Sequence, residues 1–206
     1  MNISSYSDFR TIVYTWADIT TADVSTATMD NIISLAEDRL YREVRVSAIE
    51  AALSVTFTGG LGPLPSDFVE LKQAKFSGKK PLTVVPLDTV DIWNVNNQGG
   101  GDALYIARNG ENFVTAPATD SGTLIGRYYK RFAAVSGAIN AFLTTYPELW
   151  LYASLVETAT ILRDDSRIQL WEMKYQKAKD LAHAQDRQRE FAGSPMTRGS
   201  SFTVMW

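Results

Sequence analysis

Apolar residues recur at helical spacing through the N-terminal part of the chain. Four of them stand at i, i+3, i+4 and i+7, the spacing of one face of an α-helix: Phe9, Ile12, Val13 and Trp16. Ser7 or Asp8 is the predicted N-cap of this helix. A second stripe of the same period runs from Met29 to Val44 and predicts a longer helix over residues 26–46. Both helices are expected to bury these faces against a common core.

After Leu53 the apolar residues alternate with polar ones, which predicts β-strands. The candidate strands span residues 54–58, 69–76, 82–87, 103–108, 112–116 and 123–131. Because Pro86 lacks a backbone N–H, the third of them is predicted to be an edge strand. Residues 88–93 are predicted to form a short helical turn, and Asn109-Gly110 predicts a hairpin between the fourth and fifth strands.

Helical spacing returns towards the C-terminal end. Thr145 and Glu148 have the spacing of a capping box, and Pro147 falls in the first turn of the helix that they predict. Asp164 and Asp165 follow this helix and are placed to cap the next one. Alternating steps of three and four residues in that last helix predict an antiparallel helical hairpin, with a seam of Ile168, Trp171, Tyr175, Ala178 and Ala182.

These elements together predict an α+β fold that is mainly α-helical. Residues 1–52 and 133–190 are expected to form an antiparallel helical bundle. Residues 53–132 are expected to form a small antiparallel β-sheet or barrel inserted into that bundle. Residues 191–206 have the composition of an extended C-terminal tail.

The tail combines a polar, glycine- and serine-containing stretch with large apolar residues beyond it. Such side chains lose hydrophobic free energy unless another surface covers them. We therefore predict that the tail binds a partner, through Arg198, Phe202, Val204, Met205 and Trp206. The alternative, in which this segment folds back on the core of its own chain, remains open at this point.

A second candidate surface comes from the last predicted strand, in which cations alternate with aromatic residues. Arg127, Lys130 and Arg131 surround Tyr128 and Tyr129. In a strand, Tyr128 and Lys130 share one face and the other three residues share the opposite face. This pattern fits a sheet strand with snorkelling ends, a contact with an acidic partner, or a single-stranded nucleic-acid platform.

Composition excludes several kinds of chemistry. The chain of 206 residues has no cysteine and one histidine, His183, so disulfides, thiolate chemistry and multi-histidine metal sites are excluded. Its formal net charge of -3 provides no overall attraction to nucleic acid. Residues 1–6 do not resemble a secretory signal, and no segment has the length of apolar sequence that a membrane span needs. No cofactor and no membrane partner are predicted.

Four carboxylates were considered as catalytic or magnesium-binding groups: Glu148, Glu157, Asp164 and Asp165. Helix capping accounts for Glu148, and a helix boundary accounts for the two aspartates. Glu157 falls outside the main apolar stripe of its helix. The prediction is therefore a protein without catalytic or metal-binding residues, and a carboxylate-dependent hydrolase is the weaker alternative.

Seven segments, taken in order, resemble the head–tail connector (adaptor) proteins of tailed bacteriophages. The resemblance covers about residues 64–198. The segments are Leu64–Glu70, Arg127–Phe132, Tyr146–Glu157, Asp164-Asp165, Trp171-Glu172, Asp186-Arg187 and Gly193–Pro195. The combination and spacing of these segments carry the resemblance, since no one of them is diagnostic alone.

The resemblance implies a structural protein of the virion that binds beneath the portal ring at the capsid vertex. It implies a monomer, made in the host cytoplasm, that assembles into a twelve-fold ring on the portal. Such a ring extends the channel for DNA, which passes without sequence-specific binding, and offers a platform for tail proteins such as a nozzle or stopper. The resemblance also implies that the C-terminal segment reaches along or into the portal. Residues 193–206 have the corresponding position in this sequence.

Overall fold

The computed structural model describes residues 3–96, 100–118 and 121–191 of the chain. Six α-helices lie in these residues: α1 (Tyr6–Ala17), α2 (Thr26–Glu43), α3 (Leu87–Asn96), α4 (Ala141–Thr145), α5 (Pro147–Leu162) and α6 (Asp165–Phe191). Seven strands accompany them: β1 (Glu50–Phe57), β2 (Leu61–Pro63), β3 (Phe68–Phe76), β4 (Thr83–Val84), β5 (Tyr105–Asn109), β6 (Asn112–Ala116) and β7 (Gly122–Lys130). A single 3-10 turn, Ser47–Ile49, connects the first helices to β1.

Helix α5 lies at the centre of the helical part and is buried on nearly all sides. Trp150, Leu151 and Leu155 point in different directions around the helix, and each is at most 2% exposed. Helices α1, α2, α4 and α6 supply the surrounding apolar residues of one continuous core. The buried hydroxyls of Ser154 and Thr158 donate to the carbonyls one turn earlier, so burial leaves neither hydroxyl without a partner.

Two predicted helix starts differ from the structure. The N-cap of α1 is Ser5, whose Oγ accepts from the backbone N–H of Asp8, so the prediction of Ser7 or Asp8 is wrong. The prediction of a capping box at Thr145 is also wrong. Thr145 is the last residue of α4, and its hydroxyl donates to the carbonyl of Ala141 at 2.7 Å. Pro147 does begin α5. Proline has no backbone N–H, and it is tolerated here because the N–H of a first-turn residue has no hydrogen-bond partner within the helix.

The strands form two sheets. In the first sheet, β7 lies between β1 and β3, and all pairs are antiparallel. In the second sheet the order is β2, β6, β5, β4. There β4 and β5 run parallel, and α3 makes the crossover between them.

A tight turn at Gly59-Gly60 carries the chain from β1 to β2, and so from one sheet to the other. Both glycines have positive φ angles, 57° and 78°, which residues with a Cβ rarely adopt. The apolar faces of the two sheets pack together around Phe57, whose ring centre lies 5.3 Å from that of Phe76 and 6.5 Å from that of Phe113. This core is separate from the helical one.

The predicted architecture, an antiparallel helical bundle with one small antiparallel sheet or barrel, is wrong. The chain is a mixed protein with two sheets, one of which contains a parallel pair, and it remains within the α+β class. Alternation along single strands does not reveal which strands pair, and β4 has two residues, too few to show a period. Two local predictions are confirmed: Asn109-Gly110 joins β5 to β6, and β4 next to Pro86 is an edge strand.

Candidate partner-binding surfaces

Strand β7 carries the predicted cationic surface, and its side chains point alternately to the two cores. Tyr128 is buried between the sheets, where its ring stacks on Phe68 and its hydroxyl donates to Asp67 at 2.7 Å. Burial, with this hydrogen bond second, raises the pKa of Tyr128 to about 12. Tyr129 points the other way, packs against the helical core and lies under the Arg45 guanidinium. Tyr128 and Tyr129 therefore lie on opposite faces of β7, as predicted.

The three cations of this surface contact groups of their own chain. Arg127 Nη1 lies 3.4 Å from Glu50 Oε2, although 63% of the Arg127 side chain stays exposed. The Arg131 guanidinium donates to Asp38 and lies over the Tyr41 ring. The Lys130 ammonium is 4.4 Å from the ring centre of Phe132. Neighbouring carboxylates therefore compensate both arginines, and packing occupies both tyrosines.

Arg131 also lines a groove on the surface of the chain. The groove has a volume of about 560 Å³ and lies between α2 and the start of β3. Asp38 and Phe68 line it as well, together with Leu35, which is 51% exposed. The lining of this groove therefore combines exposed apolar and ionic groups.

The last turns of α6 are fastened to the first sheet. Asp186 accepts hydrogen bonds from the backbone N–H and the hydroxyl of Ser47, which immediately precedes β1. Lys72 of β3 bridges Glu50, at 2.6 Å, and Glu190. Burial alone would lower the pKa of Lys72, but the hydrogen bonds to Glu190 and Glu50 outweigh it and raise the pKa. The chain therefore leaves α6 from a fixed position beside β1 and β3.

The predicted tail residues lie outside the described part of the chain: Arg198, Phe202, Val204, Met205 and Trp206. Their role as a binding segment stays a prediction. Helix α6 is described up to Phe191.

The four carboxylates considered for catalysis are not brought together in one cleft. Asp164 caps α6 by accepting from the backbone N–H of Arg167, as predicted, and the hydrogen bond from Ser166 lowers its pKa. Asp165 is the first residue of α6, and Glu148 is exposed in the first turn of α5. Glu157 Oε1 lies 3.8 Å from Arg39 Nη1, so this carboxylate has a cation of its own chain beside it. Among the described residues, no group of three or more histidines or carboxylates has the geometry to hold a metal ion.

Two charged residues of α2 lie away from solvent, since Glu37 is buried and Arg39 is half-buried. Arg39 donates to Glu43 and, through two hydrogen bonds, to Glu172, and it lies 4.4 Å from the ring centre of Tyr175. Glu37 is 2% exposed and accepts from the backbone N–H of Val135, while its other carboxylate oxygen has no partner within the described residues. Burial raises the pKa of Glu37 above its ordinary value.

The position of Glu37 on its helix could have indicated its burial. It stands four residues after Ile33 and three before Leu40, on the apolar stripe of α2. Arg39 lies off that stripe, and its main partner is 133 residues further along the chain. Only the tertiary structure brings those two residues together.

Comparison with known protein families identifies the class of this protein. Residues 4–199 match the sequence model of the SU10 adaptor protein family. The chain therefore belongs to the SU10 adaptor protein family, which confirms the resemblance to phage head–tail adaptors. Membership assigns it a structural role as an adaptor among the components of the bacteriophage virion. No match is found among curated proteins.

None of the described helices combines the length and apolarity that a membrane span requires. Two surface features of the chain are of interest. One is the groove beside Arg131, and the other is the C-terminal end of α6, where Glu190 pairs with Lys72.

Proposed function

We propose that this chain is the head–tail connector that docks on the portal ring of a tailed phage. The match over residues 4–199 to an adaptor family carries this proposal. In the docked state, copies of the chain form a twelve-fold ring that extends the DNA channel and presents a platform to the tail proteins. DNA passes through this channel without sequence-specific contacts, and a formal net charge of -3 provides no overall attraction that would hold the DNA.

Assembly on a template explains how a soluble monomer forms a ring only at the right place. Weak affinity between free copies prevents premature closure. Once the portal holds one copy, the effective concentration for the next copy rises, and the same weak contact becomes sufficient. The portal thus sets both the site and the number of subunits.

The segment after α6 supplies the portal contact in this mechanism. Arg198 and residues 202–206 provide one cation and several large apolar side chains. We propose that this segment becomes ordered on docking, so that ordering entropy offsets part of its contact free energy. The fixed exit at Asp186 and Glu190 supports this role, because it directs every copy of the segment from an equivalent position.

We propose that the chain is organised into units that correspond to its separate hydrophobic cores. Residues 1–52 and 133–190 form the body, residues 53–132 form a second unit, and residues 191–206 form the portal-binding tail. The helical core draws its residues from 9–49 and 135–182, and the core between the sheets draws its residues from 53–128, which supports two units with independent packing.

The test is to mix the purified chain with portal rings of the same phage and to image the particles by electron microscopy. We expect a ring of added density at one end of each portal, with the symmetry of the portal. The free chain should sediment as a monomer under the same conditions. Portals that remain undecorated at saturating concentrations of the chain would overturn the proposal.

A further inference from the structure

The outward face of α3 is apolar where surface helices are ordinarily polar. Ile92 and Val95 are 61% and 72% exposed, whereas Val90 is buried on the opposite side of the helix. Asp88 and Asp91 precede them, so the four exposed residues stand at i, i+3, i+4 and i+7 and form one stripe. This α3 stripe is acidic at its N-terminal end and apolar at its C-terminal end.

Helix α6 has a stripe of the opposite charge, in which Lys174 is half-buried and the other three residues are exposed. Its four residues stand at i, i+4, i+7 and i+11: Leu170, Lys174, Lys177 and Leu181. Leu170 is 41% exposed and Leu181 is 52% exposed. The Lys174 ammonium lies 5.3 Å from the ring centre of Trp171, which places it at the edge of the buried seam of the helix. This α6 stripe combines two cations with two exposed leucines.

Two adjoining grooves run beside the α6 stripe, between α5 and α6. Each has a volume of about 240 Å³, and they share Glu148, Ala178 and Leu181. Glu148 is the one carboxylate in their lining, against the two lysines Lys174 and Lys177. The surface beside the stripe is therefore concave, partly apolar and positive in net charge.

The two stripes are compatible in length, in charge and in apolar content. At 1.5 Å per residue the α3 stripe, from Asp88 to Val95, spans about 10 Å, and the α6 stripe, from Leu170 to Leu181, spans about 16 Å, so the shorter stripe fits within the longer one. A helix with anchors at i, i+3, i+4 and i+7 is the usual occupant of such a groove. Since the apolar residues of both stripes are exposed in one copy of the chain, they do not cover each other within that copy.

We propose that the α3 stripe of one copy docks in the α5–α6 groove of a second copy. Asp88 and Asp91 then face Lys174 and Lys177, and Ile92 and Val95 lie against Ala178 and Leu181 at one end of the α6 stripe. The contact joins two different faces, so each docked copy still offers one free stripe of each kind. Such head-to-tail contacts close into a ring when the rotation permits. The inference rests on the proposed function, in which copies assemble side by side on the portal.

Cysteine cross-linking tests the contact directly, because the natural chain contains no cysteine. The double variant Val95→Cys with Leu181→Cys should give a ladder of covalent oligomers under mild oxidation, in concentrated solution or on the portal. The matched control carries Leu61→Cys together with Leu181→Cys. Leu61 is an exposed apolar residue on β2 and lies outside both stripes. The control should stay monomeric. Failure of the double variant to cross-link both in solution and on the portal overturns the inference.

Charge reversal gives an independent readout of the same contact. Asp91→Lys and Lys177→Glu, each added singly to the double-cysteine variant, should reduce the cross-linked fraction about tenfold, since each places like charges opposite each other. The two reversals together should restore cross-linking. If the single reversals leave the cross-linked fraction unchanged, or if the combined reversal does not restore it, the two stripes do not face each other.

These outcomes separate the inference from the proposed function. Portals that bind the natural chain, while both cross-linking and charge reversal fail, would preserve the connector role and remove the α3–α6 contact. Cross-linked oligomers of a chain that never binds portals would preserve the contact and remove the connector role.

Discussion

At the scale of single residues, Glu37 is the least expected feature of the molecule. Its carboxyl group is buried in the helical core with one hydrogen bond, from the backbone N–H of Val135. Burial raises its pKa, so the folded state holds the proton more tightly than the unfolded chain does. The stabilisation from this proton is complete below the ordinary pKa of 4.5 and is lost as the pH rises through the raised pKa of the folded state.

Glu37→Gln should therefore stabilise the protein at neutral pH, by up to about 1 kcal/mol. The amide keeps an acceptor for Val135 and removes the buried charge. Chemical denaturation at about pH 4 and about pH 8 measures the effect, and the difference from the natural chain should be larger at about pH 8. The exposed Glu111→Gln serves as the control. An equal difference at both pH values would contradict this explanation.

Arg39 is the second residue whose role depends on the fold. Its side chain is 16% exposed and lies between Glu43, Glu172 and the face of Tyr175. Arg39→Gln should lower the free energy of unfolding by about 2 kcal/mol, because it leaves half-buried carboxylates without their cation. Arg127→Gln, at a side chain that is 63% exposed, should change it by less than about 0.5 kcal/mol. Similar losses for the two variants in urea titrations would argue against the distinction.

At the scale of elements, the first sheet depends on a close approach between β7 and β3. A Cβ at Gly126 would lie 2.1 Å from the carbonyl oxygen of Gln73 and 2.9 Å from the Cα of Ala74. Both are backbone atoms, so no side-chain rotation can relieve the overlap. Two register shifts in β3, one of them between Leu71 and Gln73, bring its backbone over this position.

Gly126→Ala should consequently destabilise the protein by about 2 kcal/mol or more. Gly137→Ala is the matched control, because the nearest atom to its added Cβ lies 3.5 Å away, an ordinary contact distance. Thermal unfolding should show a lower midpoint for the first variant and little change for the second. A Gly126→Ala protein as stable as the natural chain would mean that β3 moves away from β7 at little cost.

Elements with strong local signals are predictable from the sequence, and those with short or non-local signals are not. Asn109-Gly110 and Asp164 were placed correctly because a turn or a cap depends on adjacent residues. The capping box at Thr145 was misplaced because a second short helix, α4, ends there and uses the same hydroxyl. The second sheet was missed because β4 pairs with β5 across a helix and a loop.

At the scale of the whole molecule, the family match and the exit of the chain from α6 together support assembly on a portal. The buried residues that the structure describes in the two cores lie within residues 9–182. We predict that residues 199–206 are not needed for either core, since terminal segments of this kind can bind elsewhere without unfolding a protein.

Deletion of residues 199–206 should therefore leave the monomer folded, with an unchanged thermal midpoint, and should abolish binding to portal rings. Calorimetry and co-sedimentation with portals measure the two effects separately. The quadruple replacement of Phe202, Val204, Met205 and Trp206 by serine keeps the chain length and should also lose portal binding. If either variant unfolds at a clearly lower temperature or without cooperativity, the segment belongs to the core of its own chain instead.

The sequence by itself determined where most helices and strands lie, that the chain lacks thiol and multi-histidine chemistry, and that it resembles phage adaptors. Local spacing is sufficient for this, because periodicity and capping depend on residues a few positions apart. The tertiary structure decided that there are two sheets, that Glu37 is buried, that Arg39 meets Glu172, and that α3 and α6 keep exposed apolar stripes. A periodic pattern shows which side of an element is apolar. Which element covers that side depends on contacts between residues that are distant in the chain.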